Sequence, residues 1–245
     1  MNKKTTLILF YTGVALVCAA ILTLVNVFIV PNLASKGAEQ QAFMDVRVET
    51  NEDWYPIEKD LEATNQAGEK VKLSDLRGKV WVVAEFFAVC PHCAVRNGAE
   101  LRKVYDEFKD HPDFQMVCIS VDPEQDDVER LKDYAEALGA DVSKWWFLNA
   151  GEEKATHEYL EKTLKFLGVR ERKDPAMIEA NGRFEHDMGL LAVDREFRAI
   201  GKWDLAFQRS DLGSPEGYKA LKEKMMARIR AELDKGAESE TGTGQ

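Results

Sequence analysis

The stretch that most constrains this chain is a nearly unbroken apolar run, Val80-Trp81-Val82-Val83-Ala84-Glu85-Phe86-Phe87, followed closely by Cys90-Pro91-His92-Cys93. A strand that is apolar at successive positions must be covered on both faces, which an α/β sheet provides. After the cysteines, Leu101, Val104, Tyr105 and Phe108 recur at helical spacing. A C-x-x-C that opens a helix places its first thiol among free N–H groups, where the helix dipole stabilises a thiolate. Its second thiol lies one turn on. Such a pair exchanges disulfides or holds a soft metal through two thiolates. The alternatives are an inert disulfide or half of a structural zinc site. Zinc would want four ligands, and the sequence has no second C-x-x-C and no H-x-x-x-H. His92 between the cysteines can donate to the first thiolate and make the disulfide form more oxidising.

The remaining two cysteines read differently. Cys18 lies inside an N-terminal apolar run, and Cys118 lies inside Phe114–Val121, where it is expected to be a small buried hydrophobe. Four cysteines in 245 residues are too few for a disulfide scaffold.

The N-terminal run from Leu7 to Val30 carries no charge and is longer than the apolar part of a secretory signal. A bilayer core needs about 20 helical residues. An uncleaved, single-span membrane anchor is therefore expected within residues 1–36. Lys3 and Lys4 precede the run, which places the N-terminus in the cytoplasm and the remaining chain on the extracytoplasmic (periplasmic) side. The whole chain has a net charge of −10, and the first 36 residues hold lysines but no acid. So acidic a domain repels phosphate backbones, and no nucleic-acid partner is expected.

Residues 37–57 are polar and weakly periodic, as in a linker. Beyond them the pattern alternates. Val71–Leu73 and Val80–Phe87 read as strands and Phe114–Val121 as another. A helix capped by Asp126 or Asp127 follows, with Val128, Leu131, Ala135 and Leu138 on one face and its end at Gly139. Trp145–Leu148 is a strand and Ala155–Phe166 a helix. Leu190–Val193 and Ala199–Trp203 form a hairpin. Ser214-Pro215-Glu216 starts a final helix with an apolar stripe of Tyr218, Leu221, Met225 and Ile229. The tail after Lys235 is small and polar, and is expected to be disordered. Strands alternating with helices and closed by a hairpin define an α/β fold of thioredoxin-like type, spanning residues 58–212, with the C-terminal helix and tail in 213–245.

From about Asp60 to Trp203 the chain resembles the Sco/SenC family, the thioredoxin-fold copper and thiol-disulfide proteins of cytochrome c oxidase assembly. The residues that carry the likeness are Leu73-Ser74-Asp75-Leu76-Arg77-Gly78-Lys79-Val80-Trp81, then Ser120-Val121-Asp122-Pro123-Glu124-Gln125-Asp126 and Leu131-Lys132-Asp133-Tyr134. Trp146-Phe147-Leu148-Asn149-Ala150-Gly151 follows, then His186 ahead of Leu191-Ala192-Val193-Asp194. The resemblance implies a copper site made by Cys90, Cys93 and His186, favouring Cu(I). It also implies a partner that is a cytochrome oxidase subunit or another copper or thiol protein. One departure stands out. The family spaces its cysteines by three residues and follows them with a second proline, whereas this chain has two residues between them and Ala94 afterwards. That tighter spacing is closer to thioredoxin and favours disulfide exchange. Glu85, in the strand below the motif, resembles the buried acid of thioredoxins. Where thioredoxins carry a cis-proline, this sequence reads Phe184-Glu185-His186-Asp187-Met188. His111 and His157 read as surface residues. Two other functions stay open: a membrane-tethered thiol-disulfide oxidoreductase without metal, and a redox-sensing interaction module.

Overall fold

A computed structural model describes residues 2–24, 55–88, 97–210 and 213–241. Helix α1, Lys3–Leu24, belongs to an N-terminal unit of residues 1–49, and residues 50–245 form a second unit. Among the described residues no helix is long and apolar enough to cross a membrane. The apolar run continues to Val30, outside the described part.

The second unit begins with three short strands, β1 (Tyr55–Pro56), β2 (Glu62–Asn65) and β3 (Lys70–Lys72), and a 3-10 turn over Leu73–Leu76. Next come β4 (Val80–Phe86), α2 (Gly98–Phe108), β5 (Phe114–Ser120), α3 (Val128–Ala137), β6 (Trp145–Asn149) and α4 (Glu153–Lys162). Two small strands, β7 (Arg170–Glu171) and β8 (Phe184–Glu185), flank α5 (Pro175–Asn181). The chain closes with β9 (Leu190–Val193), β10 (Arg198–Trp203), α6 (Leu205–Gln208) and α7 (Pro215–Thr241).

The large sheet runs β1-β10-β9-β4-β5-β6-β2-β3. At its centre β4 pairs in parallel with β5, and β5 with β6, which requires crossovers that α2 and α3 supply. On its other side β4 pairs antiparallel with β9. Alternation along β4 sorts its side chains into two cores. Val80, Val82, Ala84 and Phe86 pack with Leu101 and Val104 of α2, Leu131 of α3, and Met225 and Ile229 of α7. Trp81, Val83 and Phe87 face the other way, toward Leu73, Leu76, Leu160 of α4, Phe166 and Phe184. Every residue of β4 and β5 is buried, as their compositions require.

Several sequence expectations shift. The end of the 37–57 linker belongs to the sheet: Tyr55 pairs with Ala199 and donates its hydroxyl to the Leu164 carbonyl at 2.6 Å, and Ile57 is buried. The helix expected over Ala155–Phe166 starts at Glu153, because Glu152 accepts from the N–H groups of Lys154 and Ala155. It stops at Lys162, leaving Leu164 and Phe166 as core residues outside it. Helix α3 is capped by Asp127, which accepts from Arg130 N–H. It ends before Gly139, whose φ of 62° suits a residue without Cβ. Contrary to the disordered tail expected after Lys235, α7 continues to Thr241, in keeping with the helix-forming alanine and glutamates there. Cys118 is buried, with the Trp145 indole N–H 3.3 Å from its sulfur, and burial pushes its thiol up to about 12. It is chemically silent.

Candidate functional site

Cys90, Cys93 and His92 lie outside the described residues. The elements on either side are placed: β4 ends at Phe86, Phe87 and Ala88 carry the chain onward, and α2 is underway by Gly98. The cysteine-bearing segment therefore joins the end of a buried central strand to a helix, the order the sequence pattern predicts.

His186 lies just after β8, in the segment that leads into β9, beside the same end of β4. Its ring meets Phe87 edge-on, with centroids 5.5 Å apart. Phe87 is the residue through which the chain leaves β4 toward Cys90. Two carboxyl groups fix this loop. Glu85 accepts the Asp187 N–H at 2.8 Å and lies 3.8 Å from His186 Nδ1. Asp187 accepts from the N–H groups of Leu167 and Gly189 and from Lys202 Nζ, each at 2.8 Å.

The electrostatics of the three groups differ sharply. Burial, reinforced by the Asp187 charge, drives the Glu85 carboxyl well above the usual range, which favours its protonated form. Burial also pushes Asp187 up, but Lys202 and the two backbone donors outweigh it, and the net shift is down. The two carboxyls are thus driven in opposite directions, Glu85 toward its neutral form and Asp187 toward its charged one. Burial pushes His186 down to about 4 against the pull of the Asp187 carbonyl and carboxylate. Its imidazole is neutral near pH 7. Nδ1 lies 2.8 Å from the Asp187 carbonyl, which can only accept, so Nδ1 holds the proton and Nε2 is the lone-pair nitrogen. A neutral imidazole whose second nitrogen donates to a carbonyl is the form in which histidine ligates metals. On this observation His186 fits a soft-metal site. The carboxylate group Asp194, Glu196 and Glu232 offers only hard oxygens and does not fit Cu(I).

The loop carrying His186 is also braced from outside. Arg172 donates from Nη1 to the carbonyls of Asn181, Gly182 and Phe184. Arg183 pairs with Glu171 at 2.9 Å, Glu153 at 3.1 Å and Glu124 at 3.4 Å. Gly182, at φ 78°, leaves room for Phe87: a Cβ there would strike the Phe87 ring. His157, expected at the surface, is half-buried instead. Its Nε2 lies 2.6 Å from the Val121 carbonyl and its ring packs edge-on against Phe184. His111 is likewise half-buried, with Asp113 N–H 3.2 Å from its Nδ1.

A further acid lies at the strand end. Asp126 is fully buried and accepts the Ala88 N–H at 3.1 Å and the Ser120 hydroxyl at 2.5 Å. Burial pushes its carboxyl up from 3.8 to about 6. A carboxyl raised on folding contributes stability that is full below its unfolded value and lost as pH rises through its folded one. Relative to Asp126→Asn, the wild type should therefore gain about 2 kcal/mol between pH 7 and pH 4. Urea unfolding of both proteins at the two pH values measures this. A difference that is flat with pH would contradict the burial of that charge.

A mixed sheet, parallel through β4, β5 and β6 and antiparallel elsewhere, with a buried histidine beside the end of β4 from which the chain runs on toward Cys90, defines a thioredoxin-like domain. The model of the SCO1/SenC family matches residues 49–212, and the chain belongs to that family. Among curated proteins, the Bacillus subtilis (strain 168) SCO1 protein homolog is 28% identical over 104 residues, 42% of this chain and 54% of that protein. The match thus spans about half the length of that relative. Among solved structures, BsSco, a member of the Sco family of cytochrome c oxidase assembly proteins with an identified disulfide switch, superposes with a TM-score of 0.57 at 19% identity, over 73% of this chain and 94% of that one. Bradyrhizobium japonicum ScoI with copper bound gives a TM-score of 0.52 at 19% identity, over 71% and 98%. These likenesses establish the fold.

Asp126, Arg172 and Asp187 were not picked out as site residues from sequence. The signal for Asp126 lay in the Ser120–Asp126 motif, where it competed with Asp127 as a helix cap. Nothing in the sequence ties Arg172 to carbonyls beyond an intervening helix.

Proposed function

We propose that this chain is a membrane-anchored Sco-like protein of respiratory oxidase maturation, which holds copper or exchanges disulfides through Cys90 and Cys93, with His186 as the third ligand. The observation that carries the reading is the buried, neutral His186, its Nδ1 on the Asp187 carbonyl, packed against Phe87 at the exit of β4. Copper(I) is the cargo. Two thiolates would provide most of the affinity and a neutral imidazole the third donor. Two residues hold the histidine loop in place: Glu85 ties it to β4, and Asp187 anchors it to Lys202 of β10. The bound copper of Bradyrhizobium japonicum ScoI supports the cargo, and the oxidase-assembly family of BsSco supports an oxidase subunit as acceptor.

Lys3 and Lys4 ahead of the Leu7–Val30 run support an anchor with the domain outside the cytoplasm. There the pair can cycle between dithiol and disulfide. The second reading, a thiol-disulfide oxidoreductase without metal, is favoured by one observation: Glu85 is a fully buried acid near the end of β4, and burial raises its carboxyl well above the usual range.

The test is His186→Ala in the reduced full-length chain, titrated in competition with a Cu(I) chelator. Its affinity is expected to fall roughly 10–100-fold, while the Cys90–Cys93 disulfide still forms. Unchanged affinity would remove His186 from the site.

A further inference from the structure

The Ser120–Asp126 motif has no part in the ligand set, yet its last residue is a buried carboxyl that reaches Ala88, ahead of the cysteine segment. The β4–β5 ladder ends with Phe86 opposite Ser120, and Val121 N–H donates to the Phe86 carbonyl at 2.8 Å. In a parallel ladder the next bond would run from Ala88 N–H to the Val121 carbonyl. That carbonyl is taken by His157 Nε2. Ala88 N–H turns instead to Asp126, 3.1 Å from both carboxyl oxygens.

Asp126 is itself rigidly held. Ser120 donates its hydroxyl to Oδ2 and accepts the Asp122 N–H at 3.0 Å. Asn149 donates from Nδ2 to the carbonyls of Pro123 and Asp126, at 2.8 and 2.7 Å. A carboxylate that accepts both a hydroxyl and a backbone N–H in a dry site makes stronger bonds than a neutral acceptor. The result is a clamp built on β5 and β6 that grips the chain two residues before Cys90.

We propose that Asp126 is a positioning residue for the cysteine segment: it takes over the hydrogen bond at which the β4–β5 ladder fails and so fixes Ala88, the anchor point two residues ahead of Cys90. The inference rests on the reading of Cys90 and Cys93 as the working thiols. It predicts that Asp126 acts on the thiols without touching them. Releasing Ala88 raises the entropy lost on closing the disulfide ring and on gathering two thiolates around one ion.

The experiment compares full-length wild type, Asp126→Asn, Asp126→Ala and Ser120→Ala. It reads three quantities: the Cys90–Cys93 redox equilibrium against glutathione, Cu(I) affinity by chelator competition, and hydrogen exchange at the Ala88 amide. Asp126→Ala is expected to shift the redox equilibrium roughly tenfold toward the dithiol and to weaken Cu(I) roughly 10–100-fold. Asp126→Asn, which keeps an acceptor oxygen, should recover most of both losses. In the wild type the Ala88 amide should exchange at least roughly tenfold more slowly than in Ser120→Ala. If Asp126→Ala folds with unchanged redox equilibrium and copper affinity, its role is structural only and the proposal is overturned. If Asp126→Ala does not fold, the Ala88 amide decides: fast exchange in the wild type overturns the clamp. A wild type that holds no copper, yet shows the redox shift and the protected amide, would defeat the copper reading and leave the clamp standing.

Discussion

Cys90→Ser and Cys93→Ser are each expected to lower the Cu(I) affinity of the reduced chain by a factor of about 100 or more, well beyond the effect of His186→Ala. Soft thiolates supply most of the binding energy, and a serine hydroxyl is a hard donor that stays protonated at neutral pH. Either change also abolishes the disulfide, so both proposed activities fail together. His186→Ala should impair only one. Chelator competition combined with a thiol-disulfide exchange assay separates these cases. A Cys93→Ser protein that keeps wild-type copper affinity would limit the site to Cys90 and His186.

The second large effect concerns stability. Phe147→Ala is expected to cost about 3–5 kcal/mol. Phe147 is fully buried on β6, 5.2 Å from Phe86 and 5.4 Å from Tyr134 in edge-on contacts, and it stacks on Trp145 at 5.2 Å. Its removal leaves a cavity bounded by rings that cannot collapse together, and the contacts beyond area burial are lost as well. Urea unfolding should show a lower midpoint with an unchanged slope. A loss below about 1 kcal/mol would mean that the cluster is more loosely packed than these distances imply.

Much of this architecture is legible in the sequence because its central strands are buried on both sides. Val80–Phe87 and Phe114–Val121 are apolar at successive positions, a pattern surface segments do not tolerate. Strands β1, at the sheet edge, and β2 are only a few residues long and carry no such periodicity, so Tyr55–Ile57 reads as linker although Ile57 is buried. The segment from Leu164 to Gly189 is held by side chain to backbone bonds from Arg172 and Asp187, and such bonds leave no pattern in local composition. For that reason His186 came from family likeness, not from spacing. The Asp126–Asp127 pair illustrates a different limit. Both residues suit a helix cap, and only the fold reveals that Asp127 caps α3 while Asp126 turns inward to Ala88. Glu85 stood out as an acid in an apolar strand, but its partner Asp187 is remote in sequence and could not be inferred.

The most direct measurement is the copper stoichiometry of the reduced full-length wild-type chain, titrated with Cu(I) against a competing chelator. One Cu(I) per chain is expected, released when the Cys90–Cys93 disulfide forms. A reduced protein that retains no Cu(I) while cycling its disulfide would contradict the copper site and leave a thiol-disulfide oxidoreductase.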